Sequence, residues 1–494
     1  MMPGRLSNQT LCVLPDTVKV PEYDRAAVLP GIVHLGVGAF HRAHQAAYVE
    51  DCLAAGETGW GIVGASLQSA TTHDALAPQD GLYTLAVRSG EGETLRVVGS
   101  LLSLVVAPQD PAALLDILID PGIRIVTLTI TEKAYLRDGA GNLDAKHPAI
   151  IADLAAPGTP RSAPGFLVEA LARRRAAGTQ PFTVLSCDNL PANGETLHRL
   201  LVQFAEFRGD AALRRHIAED VACPSSMVDR IVPATTDADR ERISASLGIE
   251  DAWPVMTEPF SQWVIEDRFP AGRPKWEKFG VTMVDDVRPF EDMKLRLLNG
   301  AHSSIAYIGL LSGHETVAGT FADPDIRRFV DGLWHEAIPT LPQGAGLDPD
   351  SYIRALATRF SNTALAHRIA QIGNDGSQKL PQRIIASAID RLDSDASANH
   401  LTLSVAAWIR ACELRGASLA EGLFTDPLDQ KLATIAQAGL PEAETVVAVF
   451  DAAGFATGSS QRSALETLVA NHLEILRQGG PGAALAALAG DSVA

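Results

Sequence analysis

Short apolar runs alternate with helical patterns in the first part of the chain. Apolar and β-branched residues are concentrated at 32–35, 61–67, 123–130 and 182–186, and these runs predict strands. Between them, stretches such as 111–118 and 165–177 have apolar residues at helical spacing. Strands that alternate with helices are typical of a largely parallel sheet with crossover helices. We therefore expect an α/β domain.

From residue 293 onward, runs of the strand type almost vanish. Alanine- and leucine-rich helical patterns continue from there, and a Gly/Ala-rich stretch after residue 479 is expected to be a frayed end. The pattern changes between residues 280 and 291. We predict an α/β domain over 1–285 and an all-α domain over 286–494.

Composition narrows the classes of function. The 494 residues carry a formal net charge of −18, which argues against nucleic acid and anionic membranes as partners. The five cysteines are scattered without a C-x-x-C pair, which is typical of a reducing compartment and not of a zinc ribbon or a disulfide framework. The N-terminus has no apolar run of the signal-peptide type, and no later run is long enough for a membrane span. A cytoplasmic protein is expected.

The first predicted strand runs into a glycine-containing turn that a helical pattern follows. Glycines two positions apart let backbone N–H groups approach a pyrophosphate at a helix N-terminus. Histidine stands where the third glycine of the usual fingerprint would be, so a tight turn without a ligand is the alternative. We predict a Rossmann-type dinucleotide site formed by Gly36, Val37, Gly38, Ala39, Phe40, His41 and Arg42.

The same fingerprint places an acidic residue after the second strand, where it binds the ribose hydroxyls. Residues 67–74 place no acid directly at the strand end, and no arginine lies nearby to meet a 2′-phosphate. NAD is the expected cofactor, and NADP is not excluded.

A dehydrogenase also needs a group that takes the proton of the alcohol and groups that hold the developing oxyanion. The sequence has no Cys/His/Glu cluster with zinc-ligand spacing. None of the six tyrosines has a lysine four residues later, as a short-chain dehydrogenase would. These absences favour a lysine-based site without a metal.

Residues 293–302 predict a helix with three polar residues on one broad face. At about 100° per residue, Asn299 and His302 lie about 140° and 80° around the helix from Lys294. Apolar neighbours would lower the pKa of Lys294 toward neutrality, as a general base requires. Asn299 can donate to an alkoxide, and His302 can hydrogen-bond a neighbouring hydroxyl. An ordinary amphipathic helix with an exposed lysine is the alternative.

A second polar cluster, residues 186–189, follows the strand predicted at 182–186. Ligands of doubly wound sheets bind at such strand ends. Asn189 could supply a second oxyanion donor, and a local Asx-turn is the alternative.

Together, these motifs resemble those of the long-chain polyol dehydrogenases, the mannitol dehydrogenase family, which contains mannitol 2-dehydrogenase and fructuronate reductase. The similarity spans nearly the whole chain and rests on five ordered blocks: 36–45, 186–189, 227–233, 258–267 and 293–302.

The resemblance implies a Rossmann-type domain followed by a helical, substrate-binding domain. It implies that Lys294 is the general base and that Asn189 and Asn299 hold the oxyanion. It further implies that substrate contacts come from His302, Asp229 and Lys379. Family members work without a metal, and many are monomers, so a monomer or a small homo-oligomer is expected.

Within the family, the segment around Lys379 distinguishes the members. Mannitol-type members carry an arginine eight residues before this lysine, and here that position is Gln371. The stretch 367–383 is more similar to fructuronate reductase.

Additional cations suit a substrate with a carboxylate, because lysine and arginine pair well with that group. Arg368, Lys133 and Arg383 are such cations, and Arg368 and Lys133 are predicted to bind substrate. That all three are surface or structural residues is the alternative.

The sequence therefore predicts NAD(H)-dependent interconversion of a secondary alcohol and a ketone on an open-chain sugar acid or polyol. D-mannonate/D-fructuronate is the first choice, and D-mannitol/D-fructose is the second. A non-catalytic dinucleotide-binding sensor and an isomerase that retains NAD are minor alternatives.

Overall fold

The chain folds into two compact units, residues 1–288 and 289–494. A computed structural model describes residues 4–344, 346–364, 367–415 and 424–491. Among these residues, none of the helices has both the length and the apolar composition that crossing a lipid bilayer requires.

Strands and helices alternate in the first unit. Its strands in the described residues are β1 (Val18–Lys19), β2 (Pro30–Leu35), β3 (Gly61–Ser66), β4 (Tyr83–Ser89), β5 (Gly92–Val98), β6 (Leu101–Val106), β7 (Ile125–Leu128), β8 (Thr183–Ser186), β9 (Ser226–Asp229), β10 (Val255–Thr257), β11 (Gln262–Glu266) and β12 (Thr282–Val284). Its helices there are α1 (Ala39–Ala43), α2 (Gln45–Ala54), α3 (Thr71–Leu76), α4 (Pro111–Ile119), α5 (Pro148–Ala155), α6 (Ala163–Ala176), α7 (Asn193–Phe207), α8 (Ala211–Asp220) and α9 (Asp237–Leu247).

A five-stranded sheet in the order β6-β3-β2-β7-β8 is parallel throughout. Val33 of β2 lies beside Val63 of β3 and Val126 of β7. The chain moves outward in one direction from β2 to β6 and in the other direction from β7 to β8. This reversal creates the crevice where doubly wound sheets bind ligands. The prediction of a Rossmann-type domain with a largely parallel sheet is confirmed.

Apolar side chains cover both faces of this sheet. Val33 and Leu35 contribute to one core and Ile32 to another, and all three are buried. Strands that are buried on both faces consist of nearly continuous apolar runs. For this reason the runs were visible in the sequence, although β7 and β8 are shorter than predicted.

Several strands were not predicted, and all of them except β6 lie outside this parallel sheet. β4 and β5 form an antiparallel hairpin inserted before β6. β5 alternates exposed and half-buried residues over its first four positions, and β6 is only partly buried along much of its length. Sheets β1-β5-β4-β10 and β12-β11-β9 complete the unit. β5 carries polar residues and therefore lacks a continuous apolar run, as is usual for a half-exposed strand. β6 has an apolar run over 101–106 that was not assigned to a strand.

Local side-chain hydrogen bonds fix the starts of several helices. Asp110 accepts a hydrogen bond from the backbone of the first turn of α4, and Ser162 does the same for α6. Thr236 and Asp239 form a reciprocal capping box at α9. These contacts set where each of the three helices begins after its preceding loop.

The second unit is helical, and its described residues contain no strand. Its helices are α10 (Arg288–Met293), α11 (Gly300–Leu311), α12 (Val317–Phe321), α13 (Pro324–Ala337), α14 (Pro349–Phe360), α15 (Ile369–Ile372), α16 (Gly376–Leu380), α17 (Ala386–Asp393), α18 (Asn399–Leu414), α19 (Asp429–Gln437), α20 (Glu442–Ala453) and α21 (Arg462–Asp491). Two π-helical turns interrupt this pattern, π1 (Lys294–Asn299) and π2 (Pro381–Ile385).

The expectation of a frayed end after residue 479 is wrong. α21 kinks at Gly480, whose φ is +72°, and the helix continues to Asp491. Ala484 and Leu488 in this last part are buried. The Gly/Ala-rich composition gave the impression of disorder, but its few apolar side chains lie on one buried face.

This packing can be tested with two single variants that place an aspartate at neighbouring positions, one buried and one exposed. Leu488→Asp buries a charge at a position that is 5% exposed, and Ala487→Asp adds the same charge on the exposed face. We expect Leu488→Asp to reduce the free energy of unfolding by about 2–4 kcal/mol and Ala487→Asp to change it by less than about 0.5 kcal/mol. Urea denaturation measures both variants. Equal effects would contradict the packed C-terminal segment.

Candidate active site

The glycine turn after β2 is shaped by a close backbone approach. Gly36 has φ +93°, and a methyl group on its Cα would lie 2.2 Å from the carbonyl oxygen of Thr129. Thr129 follows β7, so the turn packs directly onto the neighbouring strand of the crevice. Only glycine fits this position, because both the φ angle and the space exclude a side chain.

At Gly38, neither backbone conformation nor packing within the protein requires glycine. Its φ of −88° suits any residue, and a methyl group there would have only the Gly36 carbonyl oxygen within 4 Å, at 3.9 Å. Gly38 is exposed, and α1 starts at the next residue. An open backbone surface at the start of a helix fits the close approach of a phosphate group. The turn can therefore hold a dinucleotide through its backbone.

The other residues of the predicted cofactor site point partly inward. Val37 is buried, and Phe40 stacks on the ring of His44 at a centroid distance of 5.0 Å. Arg42 is buried and donates to the carbonyl of Trp253, and burial lowers its pKa to about 10. These side chains pack against the protein interior and stabilise the turn. The backbone of the turn is therefore the surface available to a ligand.

His41, at the third-glycine position, stacks on His34 of β2. The two ring centroids are 3.3 Å apart, the planes are 11° from parallel, and both residues are fully buried. Burial lowers the pKa of His34 to about 3 and the pKa of His41 well below its ordinary value. The neutral ring stack takes over the role of close helix–strand packing that glycine has in the usual fingerprint.

The carboxyl end of β3 has the neutral character that the sequence predicts. Gln68 and Ser69 are exposed there. Asp74 lies in α3 and is 3.0 Å from the Nδ1 atom of His73. This end of the sheet offers polar but uncharged groups to a ribose.

Asp188 ties together the ends of β7 and β8. Its carboxylate accepts hydrogen bonds from the Tyr135 hydroxyl at 2.7 Å and from the backbone N–H groups of Ile130 and Thr131 at 3.1 and 2.9 Å. Burial raises the pKa of Asp188. The sequence had pointed to Asn189, the exposed next residue, and Asp188 fixes the backbone from which that side chain projects.

A second side chain that links strand ends, Asn193, was not predicted from the sequence. Buried Asn193 donates to the carbonyl of Ser226 at 2.7 Å and to that of Asp188 at 3.1 Å. Asp229 lies at the end of the same strand as Ser226, is buried and pairs with Gln262 of β11. An asparagine at the first position of α7 was the available signal.

Lys133 lies in the loop after β7 and is exposed. It lines an open cavity of about 470 Å³ together with Glu132, Arg137, Asp138 and His147. Acidic and basic groups are mixed in this cavity, so it does not select for anions by charge alone.

In the second unit, the polar residues predicted on one helix face lie on and beside π1. Gly300 N–H donates to Leu295 O, an i→i+5 bond, so this turn is wider than the α-helical turn assumed from the sequence. The predicted 140° between Lys294 and Asn299 is therefore too large, because a π turn places residue i+5 nearly above residue i. Lys294, Asn299 and His302 are all buried, with 8–9% exposure.

His302 is neutral and has an unsatisfied ring nitrogen. Burial lowers its pKa well below the ordinary value, and the basic groups His367, Arg359, Arg383 and Lys294 lower it further. Its Nε2 atom is buried and has no hydrogen-bond partner among the described residues. Phe360 holds the ring at a centroid distance of 4.9 Å. Such a nitrogen can bind a hydroxyl group of a substrate.

The two other predicted substrate contacts of this unit differ in exposure. Lys379 in α16 is half-buried and donates from Nζ to the carbonyl of Asn374 at 2.7 Å. Arg368 is exposed at the start of α15. Their binding of substrate stays a prediction. A cluster of three or more metal-ligating side chains does not occur in the described part of the chain.

Comparison with known proteins yields two consecutive family matches. The model described as mannitol dehydrogenase Rossmann domain matches residues 30–278, and the one described as mannitol dehydrogenase C-terminal domain matches residues 286–477. The mannitol 2-dehydrogenase of Pyrenophora tritici-repentis is 43% identical over 82% of this chain and 73% of its own length. The D-mannonate oxidoreductase of Escherichia coli is 43% identical over 79% of this chain and 81% of its own length.

Solved structures with similar folds cover nearly the whole chain. The mannitol 2-dehydrogenase of Pseudomonas fluorescens, in a ternary complex with NAD and D-mannitol, is 37% identical with a TM-score of 0.84, over 98% of this chain and 99% of its own. A substrate-free D-sorbitol dehydrogenase is 34% identical with a TM-score of 0.89, over 97% of this chain and all of its own.

The two glycines of the turn should respond differently to alanine. Gly36→Ala forces a methyl group against the Thr129 carbonyl, so we expect it to lower the thermal midpoint by several degrees. Gly38→Ala should fold with a near wild-type midpoint but bind NADH about tenfold or more weakly, because the methyl group fills the open surface. Thermal denaturation and NADH fluorescence titration distinguish the two. Unchanged NADH affinity in Gly38→Ala would contradict the turn as a cofactor site.

Proposed function

The chain belongs to the mannitol dehydrogenase family, and from this premise we propose that it is an NAD-dependent dehydrogenase of an open-chain sugar acid. The proposed reaction interconverts a secondary alcohol and a ketone, with D-mannonate and D-fructuronate as the preferred pair. The relatives support a polyol or sugar-acid dehydrogenase. The choice between these substrate classes rests on the second unit.

The observation that carries the choice is the charge around His302. Three cationic side chains act on this buried imidazole, Arg359, Arg383 and Lys294. The neighbouring His367 is not counted as a cation, because burial lowers its own pKa. Cationic side chains in a partly desolvated region attract an anionic group more strongly than a neutral one. A substrate carboxylate supplies such an anion, whereas an uncharged polyol does not.

Overall identity does not distinguish the two classes. The mannitol 2-dehydrogenase and the D-mannonate oxidoreductase named above are both 43% identical to this chain. Gln371 stands where the mannitol-type members are expected to carry arginine, which favours the sugar acid. The proposal therefore depends on a few residues and not on similarity as a whole.

The second unit supplies the acid–base chemistry in this proposal. Lys294 takes the proton of the substrate hydroxyl, and Asn299 donates its amide N–H to the oxygen. His302 uses its unpaired Nε2 to bind a neighbouring hydroxyl. Lys379 and Arg368 remain proposed substrate contacts.

The first unit supplies the cofactor turn and a second oxyanion donor. The backbone at Gly38 and Ala39 would hold the pyrophosphate of NAD, which accepts the hydride when bound. Gln68 and Ser69 offer neutral groups to the ribose, so NADP is not repelled by a carboxylate at this end. Asn189 is the proposed donor, with Asp229 and Lys133 as proposed substrate contacts.

A second candidate is the interconversion of D-mannitol and D-fructose. The observation that favours it is the likeness to a mannitol 2-dehydrogenase in complex with NAD and D-mannitol. The two candidates share the same reaction and the same proposed base, and they differ in the charge of the substrate.

The two candidates are separated by the rates on the two ketones. We expect kcat/KM for NADH-dependent reduction of D-fructuronate to exceed that for D-fructose by at least about 100-fold, because a site built for a charged group rejects the analogue without it. Absorbance of NADH follows both reactions. A preference for D-fructose would favour the second candidate, and tight NADH binding without turnover of any ketose would indicate a sensor.

Replacement of the proposed base gives a second test. Lys294→Met should lower kcat by about 10²–10⁴-fold while the affinity for NADH stays unchanged, because only proton transfer is removed. Lys278→Ala, at an exposed lysine of the first unit, serves as the control and should keep wild-type activity. Full activity of Lys294→Met would refute the assignment of the base.

A further inference from the structure

The two π-helical turns of the second unit pack against each other. π2 is closed by an i→i+5 bond from Ala386 N–H to Pro381 O, as π1 is by Gly300. A methyl group on Gly300 would lie 2.9 Å from the carbonyl oxygen of Arg383. The absence of a side chain at Gly300 therefore lets the backbone of Arg383 approach the end of π1 closely.

The side chain of Arg383 contacts Ser303, the residue after His302, and approaches the backbone of Asn299 at the end of π1. Its Nη1 atom donates to the hydroxyl of Ser303 at 3.2 Å and lies 3.5 Å from the carbonyl oxygen of Asn299. Within the ranges that the structure describes, Nε and Nη2 of Arg383 have no hydrogen-bond partner. Arg383 is half-buried, so these donors remain accessible to a bound molecule.

Arg383 also lacks a countercharge among the described residues. Arg296 on π1 shows the usual arrangement, since it donates to the carboxylate of Asp390 at 2.5 Å and to the carbonyl of Thr340 at 2.8 Å. Burial lowers the pKa of Arg383 to about 10, an effect that the nearby Tyr307 partly offsets. A cation in this setting is costly unless it binds an anion.

We propose that Arg383 binds the carboxylate of the sugar-acid substrate. This inference rests on the proposed function, and it assigns substrate specificity to one residue. The guanidinium group presents two parallel N–H donors, which match the two oxygens of a carboxylate. Ser303 holds the third donor and thereby orients the group.

This assignment differs from the cations favoured by the sequence. Arg368 and Lys133 are both exposed, and an ion pair in solvent contributes little binding energy. Arg383 is half-buried and acts on the same imidazole as Lys294. Its charge is therefore less screened by solvent, and its side chain contacts Ser303 beside His302.

A purely structural role for Arg383, as a tie between π1 and π2, predicts a different outcome. Losing a tie would weaken all substrates alike and lower the thermal midpoint. Losing a carboxylate contact would weaken only the charged member of a matched pair. The two roles are therefore distinguished by comparing a charged and a neutral ligand.

The experiment uses Arg383→Gln and Arg383→Lys, with Arg296→Gln as the matched control on the facing turn. Binding of D-mannonate and D-mannitol to the full chain with NAD is measured by titration calorimetry. We expect Arg383→Gln to weaken D-mannonate by about 10- to 100-fold and D-mannitol by less than about threefold. Arg383→Lys should recover part of the loss, and Arg296→Gln should leave the ratio of the two affinities unchanged.

Each result has a defined meaning. Equal losses for both ligands in Arg383→Gln, or no loss at all, overturn the inference, and so does a wild-type protein that does not bind D-mannonate. If wild type binds D-mannonate but turns over neither ketone, the proposed function fails. The role of Arg383 is then still decided by the binding ratio.

Discussion

The first unit depends on the close approach between Gly36 and the carbonyl of Thr129. This contact joins the ends of β2 and β7, where the sheet reverses its order and a crevice forms. Asp188 holds the next residues, Ile130 and Thr131, by their backbone N–H groups. The position of the open surface at Gly38 follows directly from this constraint. Asn189 follows β8, and its position depends on the constraint through the hydrogen bonds of Asp188 to the end of β7.

The sequence was informative where burial imposes a simple pattern. β2, β3, β7 and β8 are covered on both faces, so their runs of apolar residues predicted the parallel sheet. The half-exposed strand β5 lacks such a run and was missed, whereas β6 has an apolar run over 101–106 that was not assigned to a strand. The roles assigned to the site residues are still predictions, since they came from motifs and not from a measured contact.

Two features of the site could not be predicted from spacing. The stack of His34 and His41 depends on residues from a strand and a helix, and the motif showed only a missing glycine. The π turn at Lys294 is a shift of hydrogen bonds by one position, and the apolar pattern of the surrounding helix continues across it. Both features arise from tertiary packing, which overrides the regular geometry that a motif assumes.

Because of the π turn, the geometry of the proposed active site depends on the number of residues between Lys294 and Asn299. An i→i+5 turn contains one residue more than the α-helical turn it replaces. Deleting one residue between Lys294 and Asn299 would allow a continuous α-helix in which the two residues are four positions apart, about 40° around the helix. Substitutions in this family can adjust a side chain gradually, but the register of the proposed base and its oxyanion donor changes only in steps of a whole residue. A deletion would therefore keep the proposed base and its oxyanion donor on one helix face, whereas an additional residue in α-helical geometry would turn Lys294 by about 100° relative to α11.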